Sequence, residues 1–329
     1  MRIRSKFLRL TKETYPHGTE GPLVKFLPNG YKKDMAGNYF VEIGDKYSTM
    51  FTCHLDTASQ EKSKVNHVFE KDYIKTDGKT ILGADDKAGM VVLLYMIENK
   101  IPGLYYFFLG EERGCIGSNA IVRYFDYPNI KKCVSFDRRG TTSIITEQFA
   151  GVCCSDEFAN DLANKLNSAG FGLKLSPDPT GMVTDSMVFI DKIPECTNIS
   201  VGYYDEHKKT EKQDINYLAR LCKSVVRIDW ESLVVKRDPN STIYDCSIYT
   251  EQKFTRVKTE VVYKDMDLKQ ESELIKSSLK KMGYVADYVW WDGYQCYVDD
   301  NGFKEYIGNR SQLSDFVPCL SRKYEKIHS

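Results

Sequence analysis

Two aspartates sit in a glycine-bounded turn at Leu82-Gly83-Ala84-Asp85-Asp86-Lys87-Ala88-Gly89-Met90, directly ahead of an apolar run. Other chemistry-bearing groups are spread singly along the chain: His54-Leu55-Asp56, Gly110-Glu111-Glu112, Asp137 and His207. Imidazole and carboxylate are the ligands of a hard or borderline divalent metal, and two such ions about 3.5–4 Å apart need one carboxylate to bridge them. His54, Asp85, Glu112, Asp137 and His207 supply that inventory. Taken one at a time each has a plainer reading, since an aspartate in a turn ordinarily caps a helix and a lone histidine is ordinarily a satisfied core or surface residue. Their order, and their places at the ends of strand-like runs, make the group a candidate metal centre.

The flanking segments show how these residues would be delivered. Short helices are expected at 5–14 and 19–27, the second with Pro22 in its first turn, and a strand at Tyr39–Ile43 follows the turn at Asp34–Asn38. Ser48–Cys53 reads as a buried strand ending at His54, and the polar stretch from Gln60 to Lys79 as a hairpin. Met90–Ile97 is a buried helix, Leu104–Leu109 a second buried strand ending at Gly110-Glu111-Glu112, 118–125 a helix, and Lys132–Phe136 a third strand ending at Asp137. Strand, helix, strand, helix, strand is the pattern of right-handed crossovers in a parallel or mostly parallel sheet, where ligands gather at the carboxyl ends of the strands. Further along are a strand at Ser143–Thr146, a helix at Asp156–Ser168, a loop at Pro177–Gly181, the segment Thr184-Asp185-Ser186, a strand at Thr197–Tyr203 and a helix from Asp214 to Trp230.

The fold class is therefore α/β, a mostly parallel or mixed central sheet flanked by helices, with a small C-terminal α+β module. The boundary is placed in the polar, proline-containing stretch Lys236–Asn240, giving a catalytic domain at 1–236 and an accessory module at 237–329. Within the module a strand at Val257–Tyr263, an amphipathic helix at Leu268–Met282 and an aromatic hairpin at Ala286–Tyr306 are expected, the hairpin turning at Asp299-Asp300-Asn301-Gly302. Its Trp290, Trp291, Tyr294 and Tyr297 read as core and hairpin pairs.

Composition narrows the class. With 46 basic and 46 acidic residues among 329, no electrostatic argument favours nucleic acid or anionic lipid as a partner. No run of about 20 apolar residues predicts a membrane span, and the basic start Met1–Leu8 is followed by no apolar signal-type region. Ten cysteines without a CxxC pair, several in apolar runs, read as buried free thiols in a reducing compartment, so a cytoplasmic location is expected.

The motifs His54-Leu55-Asp56, Gly83-Ala84-Asp85-Asp86-Lys87-Ala88-Gly89, Gly110-Glu111-Glu112, the strand-end Asp137 and the closing His207-Lys208-Lys209-Thr210-Glu211 together resemble those of the co-catalytic di-zinc exopeptidases. That family includes peptidase T, the aminoacylases and glutamate carboxypeptidases, and the lid-less zinc aminopeptidases. The resemblance covers about residues 20–225. It implies that His54 and Asp137 hold one divalent metal, that Glu112 and His207 hold the other, and that Asp85 bridges them. It implies Asp56 as the carboxylate that fixes the tautomer of His54, and Glu111 as the general base. Asp86 and Lys87 are left to organise the turn. Zinc is the expected metal, with manganese or cobalt able to occupy the same ligands.

Only 69 residues separate Asp137 from His207, and they read as continuing core, not as the inserted lid domain that peptidase T and the aminoacylases carry there. Architecture thus resembles the lid-less aminopeptidases, in which a Ser-Asp segment near the site corresponds to Thr184-Asp185-Ser186. Asp185 is accordingly a candidate for supporting the metal ligands from behind or contacting the substrate amine, or else a cap. Arg138 and Arg139 are candidates for a substrate carboxylate, or for ordinary salt bridges. The expected function is amide hydrolysis, foremost as an aminopeptidase on short peptides. The alternatives are a deacylase using the same two-metal chemistry and a non-catalytic scaffold that keeps the fold. The accessory module could cover the cleft, mediate self-association or recruit a partner.

Overall fold

The computed structural model describes residues 3–239 and, further on, the backbone of three strands at 288–292, 295–300 and 303–309. The chain divides into two compact units, Met1–Ser241 and Thr242–Ser329.

The first unit begins with helix α1 (Ile3–Leu10) and a 3₁₀ turn at Gly21–Phe26. Strands β1 (Lys32–Lys33), β2 (Tyr39–Ile43) and β3 (Thr49–His54) follow, then a hairpin of β4 (His67–Glu70) and β5 (Tyr73–Thr76). Helix α2 (Ala84–Glu98), β6 (Gly103–Phe108), α3 (Ile116–Val122) and β7 (Lys132–Arg138) come next. The chain continues through β8 (Ser143–Ile145), the small hairpin β9 (Glu147–Gln148) and β10 (Gly151–Val152), α4 (Asp156–Ser168), β11 (Ser176–Asp178) and a 3₁₀ turn at Asp185–Phe189. It closes with β12 (Glu195–Ser200), β13 (Tyr203–Tyr204), β14 (Lys212–Asp214) and α5 (Ile215–Val225).

Eight strands form one mixed sheet in the order β1-β2-β6-β3-β7-β12-β8-β11. The central four, β6, β3, β7 and β12, run parallel, while β2 pairs antiparallel with β6 and β8 antiparallel with β12. Every residue of β3, β6 and β12 is buried, as befits strands covered on both faces, although only β6 is written as a near-continuous apolar run and β12 buries Glu195, Thr197, Asn198 and Ser200. Helix α2 is apolar almost all round because it too is enclosed, packing on β3, β7, α1 and α5. At the heart of the core, Phe51 meets Tyr105 at 5.1 Å and the edge of Trp230 at 4.8 Å between ring centroids. A second sheet, β13-β14-β5-β4, is wholly antiparallel.

Between Asp137 and His207 the chain supplies β8, β11 and β12 to the main sheet and α4 to its flank. Several elements differ from the sequence expectation. Helix α5 stops at Val225, and Trp230 lies beyond it, its indole N–H donating to the Val225 carbonyl oxygen. The expected loop at Pro177–Gly181 begins inside β11, which joins the edge of the main sheet beside β8. The expected strand at Thr197–Tyr203 starts earlier and breaks after Ser200, so that β13 leaves for the second sheet.

In the second unit the expected hairpin is a three-stranded antiparallel meander, β15 (Tyr288–Asp292), β16 (Gln295–Asp300) and β17 (Phe303–Asn309). The strand expected at Val257–Tyr263 and the helix at Leu268–Met282 lie outside the described residues. Among the described residues no helix is long and apolar enough to cross a membrane, and Cys53, Cys115, Cys133, Cys153, Cys154, Cys196 and Cys222 are buried free thiols.

Candidate metal centre

Because β3, β6 and β7 lie side by side and point the same way, their carboxyl ends share one edge of the sheet. That edge is where the side chains converge. His54 is the last residue of β3, the 3₁₀ turn Glu111–Arg113 follows β6, and Asp137 lies near the end of β7. Asp85 opens α2 in a non-helical conformation, and the Asp85–Asp86 peptide bond is cis. His207 enters from the loop between β13 and β14 with a positive φ of 63°. Gly110, at φ 70°, admits the glutamate turn where a Cβ would come within 2.9 Å of the His17 ring.

The Asp85 carboxylate stands between the two imidazoles. Its Oδ1 is 2.9 Å from His54 Nε2 and its Oδ2 is 3.1 Å from His207 Nε2. His54 Nε2 also faces Asp137 Oδ1 at 3.6 Å and Glu111 Oε2 at 3.9 Å, while His207 Nε2 faces Glu112 Oε2 at 3.0 Å. Ligand atoms about 2.0–2.1 Å from a tetrahedral zinc stand roughly 3.3 Å from one another, so these spacings suit a shared cation shell. Two groups, His54 with Asp85 and Glu112, and His54 with Glu111 and Asp137, each bring three potential ligand atoms within 4.8 Å of one another.

The chemistry of the donors fits divalent cations. Asp85, Asp86, Glu111, Glu112 and Asp137 crowd around two imidazoles in largely buried surroundings, and clustered buried carboxylates are strongly unfavourable without compensating positive charge. Glu112 Oε1 and His54 Nδ1 are buried without a hydrogen-bond partner, the latter 3.4 Å from Asp56 Oδ1. With only protons to balance the charge, burial and then Asp137 push Asp86 well up, burial pushes Glu111 well up against the pull of His54, and burial likewise raises Glu112 and Asp137. Burial would lower both imidazoles, but Asp137 beside His54 and Glu112 beside His207 outweigh it and hold both well above their ordinary value. Asp85 goes the other way, since the two histidines overcome its burial and keep it ionised.

The surroundings hold these groups in place. Asp56 is fully buried and accepts the backbone N–H of Glu111 at 3.1 Å and of Glu112 at 3.2 Å. Asp86 accepts the Gly89 N–H at 2.9 Å and so caps α2, and the buried Lys87 donates its Nζ to the Asp56 carbonyl oxygen at 3.0 Å. Asp185 is turned to Ser118, whose hydroxyl donates to it at 2.6 Å, and burial pushes its carboxyl up to about 8. Arg138 donates to the Thr180 carbonyl and hydroxyl oxygens and lies 3.7 Å from Asp178, while the more exposed Arg139 pairs with Glu206 at 3.2 Å.

Sequence reasoning missed four contributors. The Thr184 and Tyr203 hydroxyls donate to the two oxygens of Asp137, at 2.7 and 3.0 Å. The Asn198 side chain accepts the Asp137 N–H and donates to its carbonyl. Glu211, with burial pushing its carboxyl up to about 7, accepts backbone N–H groups from the turn that carries Asp85. Nothing local to a Thr, Tyr, Asn or lysine-flanked Glu signals such a partner; the pairing of β7 with β12 brings Asn198 to Asp137, and that of β5 with β14 brings Glu211 to the Asp85 turn.

No protein-family model matches the chain. Over 80 residues it is 45% identical to YqjE, an uncharacterised protein of Bacillus subtilis (strain 168), a match spanning 22% of this chain and only 21% of that protein's length. The fold is similar to that of the aminopeptidase PepT from Bacillus cereus ATCC 10987, with a TM-score of 0.55 at 18% identity over 69% of this chain and 96% of that one. It is similar also to a tripeptidase from Staphylococcus aureus, with a TM-score of 0.56 at 18% identity over 70% and 97% of the two chains. A third likeness is to the Pyrococcus horikoshii TET1 peptidase, which can assemble into a tetrahedron or a large octahedral shell, with a TM-score of 0.53 at 15% identity over 69% and 98%. At these identities the likeness is one of fold: the chain has the α/β architecture of these peptidases.

Proposed function

We propose that the chain is a metal-dependent amide hydrolase, an aminopeptidase acting on short peptides, that works with two divalent cations. The observation that carries this reading is the Asp85 carboxylate, which offers one oxygen to each of two imidazoles that lie within reach of further carboxylates. In this reading His54 and Asp137 would hold one cation, Glu112 and His207 would hold the other, and Asp85 would serve both. Zinc suits the mixed imidazole and carboxylate donors, with manganese or cobalt as substitutes. When bound, such cations would polarise the scissile carbonyl and lower the pKa of the attacking water.

Glu111 lies beside this set and is only 12% exposed in its side chain. Its carboxylate takes the proton from the attacking water and returns it to the leaving nitrogen. Asp56 fixes the two glutamates through their backbone N–H groups and faces the far nitrogen of His54, which keeps Nε2 directed at Asp85 and Asp137. Thr184, Tyr203 and Asn198 hold Asp137 in one orientation. Of the remaining polar candidates, the exposed Arg139 is the one proposed to meet a substrate carboxylate, whereas Asp185 is held by Ser118 and Arg138 by Thr180 and Asp178. The activity is assigned to residues 1–236 and an accessory role to 237–329, with a cytoplasmic location for the whole.

The fold likeness to an aminopeptidase and a tripeptidase supports the choice of short peptides. The test is a substrate panel of aminoacyl, N-acyl and γ-linked amides offered to chelated and metal-reconstituted protein. Cleavage of aminoacyl substrates, dependent on about two equivalents of metal, is the expected result. Preference for N-acyl substrates would make it a deacylase, and the absence of both metal uptake and turnover would leave only a scaffold. In Glu111→Gln, metal content should be unchanged and turnover at least about a hundredfold lower; normal turnover would remove Glu111 from its role.

A further inference from the structure

Glu211 has no assigned part in the chemistry, yet it is fully buried four residues after His207. Its Oε2 accepts the N–H of Leu82 at 2.7 Å and of Gly83 at 2.8 Å, and its Oε1 accepts the N–H of Asp85 at 3.1 Å. These donors are more than a hundred residues away in sequence. The second sheet brings them together, because β14 starts at the next residue and pairs with β5, with Lys212 opposite Lys75. The same join is closed from the other side by the Thr76 hydroxyl, which donates to the Lys209 carbonyl oxygen at 3.2 Å. A carboxylate is an expensive acceptor to bury for three backbone donors, but hydrogen bonds to an ionised acceptor are the stronger ones.

We infer that Glu211 is a positioning residue that ties the His207 loop to the Asp85 turn, fixing the carboxylate that faces both imidazoles. The inference rests on the proposed function. A glutamine there keeps one acceptor oxygen but presents an NH₂ to a backbone N–H, so one donor loses its partner. Glu195 is a suitable comparison: it is equally buried and accepts the N–H groups of Ser155, Lys236 and Arg237, outside the candidate centre.

The experiment is a titration of metal-free full-length protein with cobalt(II) alone, followed by visible absorption, together with kcat, KM and metal-free melting temperature. Wild type and Glu195→Gln should take up two equivalents. Glu211→Gln should bind one equivalent at least about tenfold more weakly and lose kcat with little change in KM, while Glu211→Asp recovers part of both. Wild type and Glu211→Gln binding two equivalents alike, with equal kcat, would overturn the inference while leaving the proposed function standing. A wild type that binds no cobalt would overturn both. If neither Glu211 variant folds, or if Glu195→Gln weakens cobalt binding equally, Glu211 is a general folding residue and the inference fails.

Discussion

Gly89 offers a direct test of how closely helix α2 must approach strand β7. A Cβ built at this position would lie 2.1 Å from the Phe136 carbonyl oxygen and 2.6 Å from both carboxylate oxygens of Asp86. Real Cβ contacts essentially never fall below 3.0 Å, so helix and strand must part by roughly 1 Å in Gly89→Ala. Alanine is the better helix former by up to about 1 kcal/mol, whereas overpacking costs about 1–3 kcal/mol. The steric effect wins, and a net loss of about 1–2 kcal/mol lowers the melting temperature by about 2–8 °C. The functional loss is larger. Asp85 starts α2 and Asp137 directly follows Phe136, so the same displacement opens between two proposed ligands whose bond lengths tolerate about 0.2 Å. A misplacement of about 1 Å can cost a hundredfold in rate, and kcat/KM should fall by that order with lower bound metal. The assays are thermal melting of the metal-free protein, metal content, and peptide hydrolysis. Gly21→Ala, whose Cβ would meet nothing within 4 Å, serves as the control and should match wild type. Wild-type melting temperature and turnover in Gly89→Ala would refute the close-approach argument.

Asp56→Asn leaves one of the Glu111 and Glu112 N–H groups facing an amide; metal affinity or turnover should drop about 10–100-fold, which metal-buffered titration and steady-state kinetics would measure. Phe51→Ala empties the ring cluster of Tyr105, Phe136 and Trp230; unfolding in urea should show a loss of about 3–5 kcal/mol, with unchanged activity per folded molecule. His67 Nε2 lies 2.8 Å from the Thr11 hydroxyl oxygen, and burial holds the imidazole below its ordinary value of 6.5. The unfolded chain therefore takes up this proton first on acidification, so stability falls as pH drops below about 6.5 toward the folded-state value. Urea midpoints measured across that window should fall less steeply in His67→Gln, and equal slopes would refute the assignment.

The sequence revealed strands best where burial is total and the side chains are apolar, as in β6, and less well in the equally buried but polar β12. The six residues of β6 are an uninterrupted apolar run, β3 sets Met50, Phe51 and Cys53 among threonines before ending at His54, and the helix at Asp156–Ser168 opens with a Ser155 cap whose hydroxyl oxygen accepts the Phe158 N–H, so its limits were legible. Short edge elements were not. β11 is three residues containing a proline, and its strand identity comes only from its pairing with β8. The direction of the outer strands was equally hidden, because antiparallel β2 and β8 carry no local mark that separates them from parallel ones. At the candidate centre, the residue types and motif spacing pointed to His54, Asp85, Glu111, Glu112, Asp137 and His207, all of which converge on one edge of the sheet. Of the residues that orient them, Asp56 was named through the resemblance, whereas Glu211, quoted only as the last residue of the closing motif and set among lysines, has no visible role until β14 pairs with β5.

The seven buried thiols among the described residues also give the fold a set of internal reporters. Alkylating reagents react with the exposed thiolate, and burial pushes the Cys53, Cys115, Cys196 and Cys222 thiols up. A folded molecule is thus nearly mute to such reagents at these positions, and each sulfur becomes labelled only when its own neighbourhood opens. Cys53 precedes His54, Cys115 lies 3.8 Å from Glu111, Cys133 and Cys196 face each other across β7 and β12, and Cys222 rides on α5. Pulse labelling read by mass spectrometry would therefore time the loosening of the sheet centre, the Glu111 turn and helix α5 separately, with no foreign probe introduced into the chain.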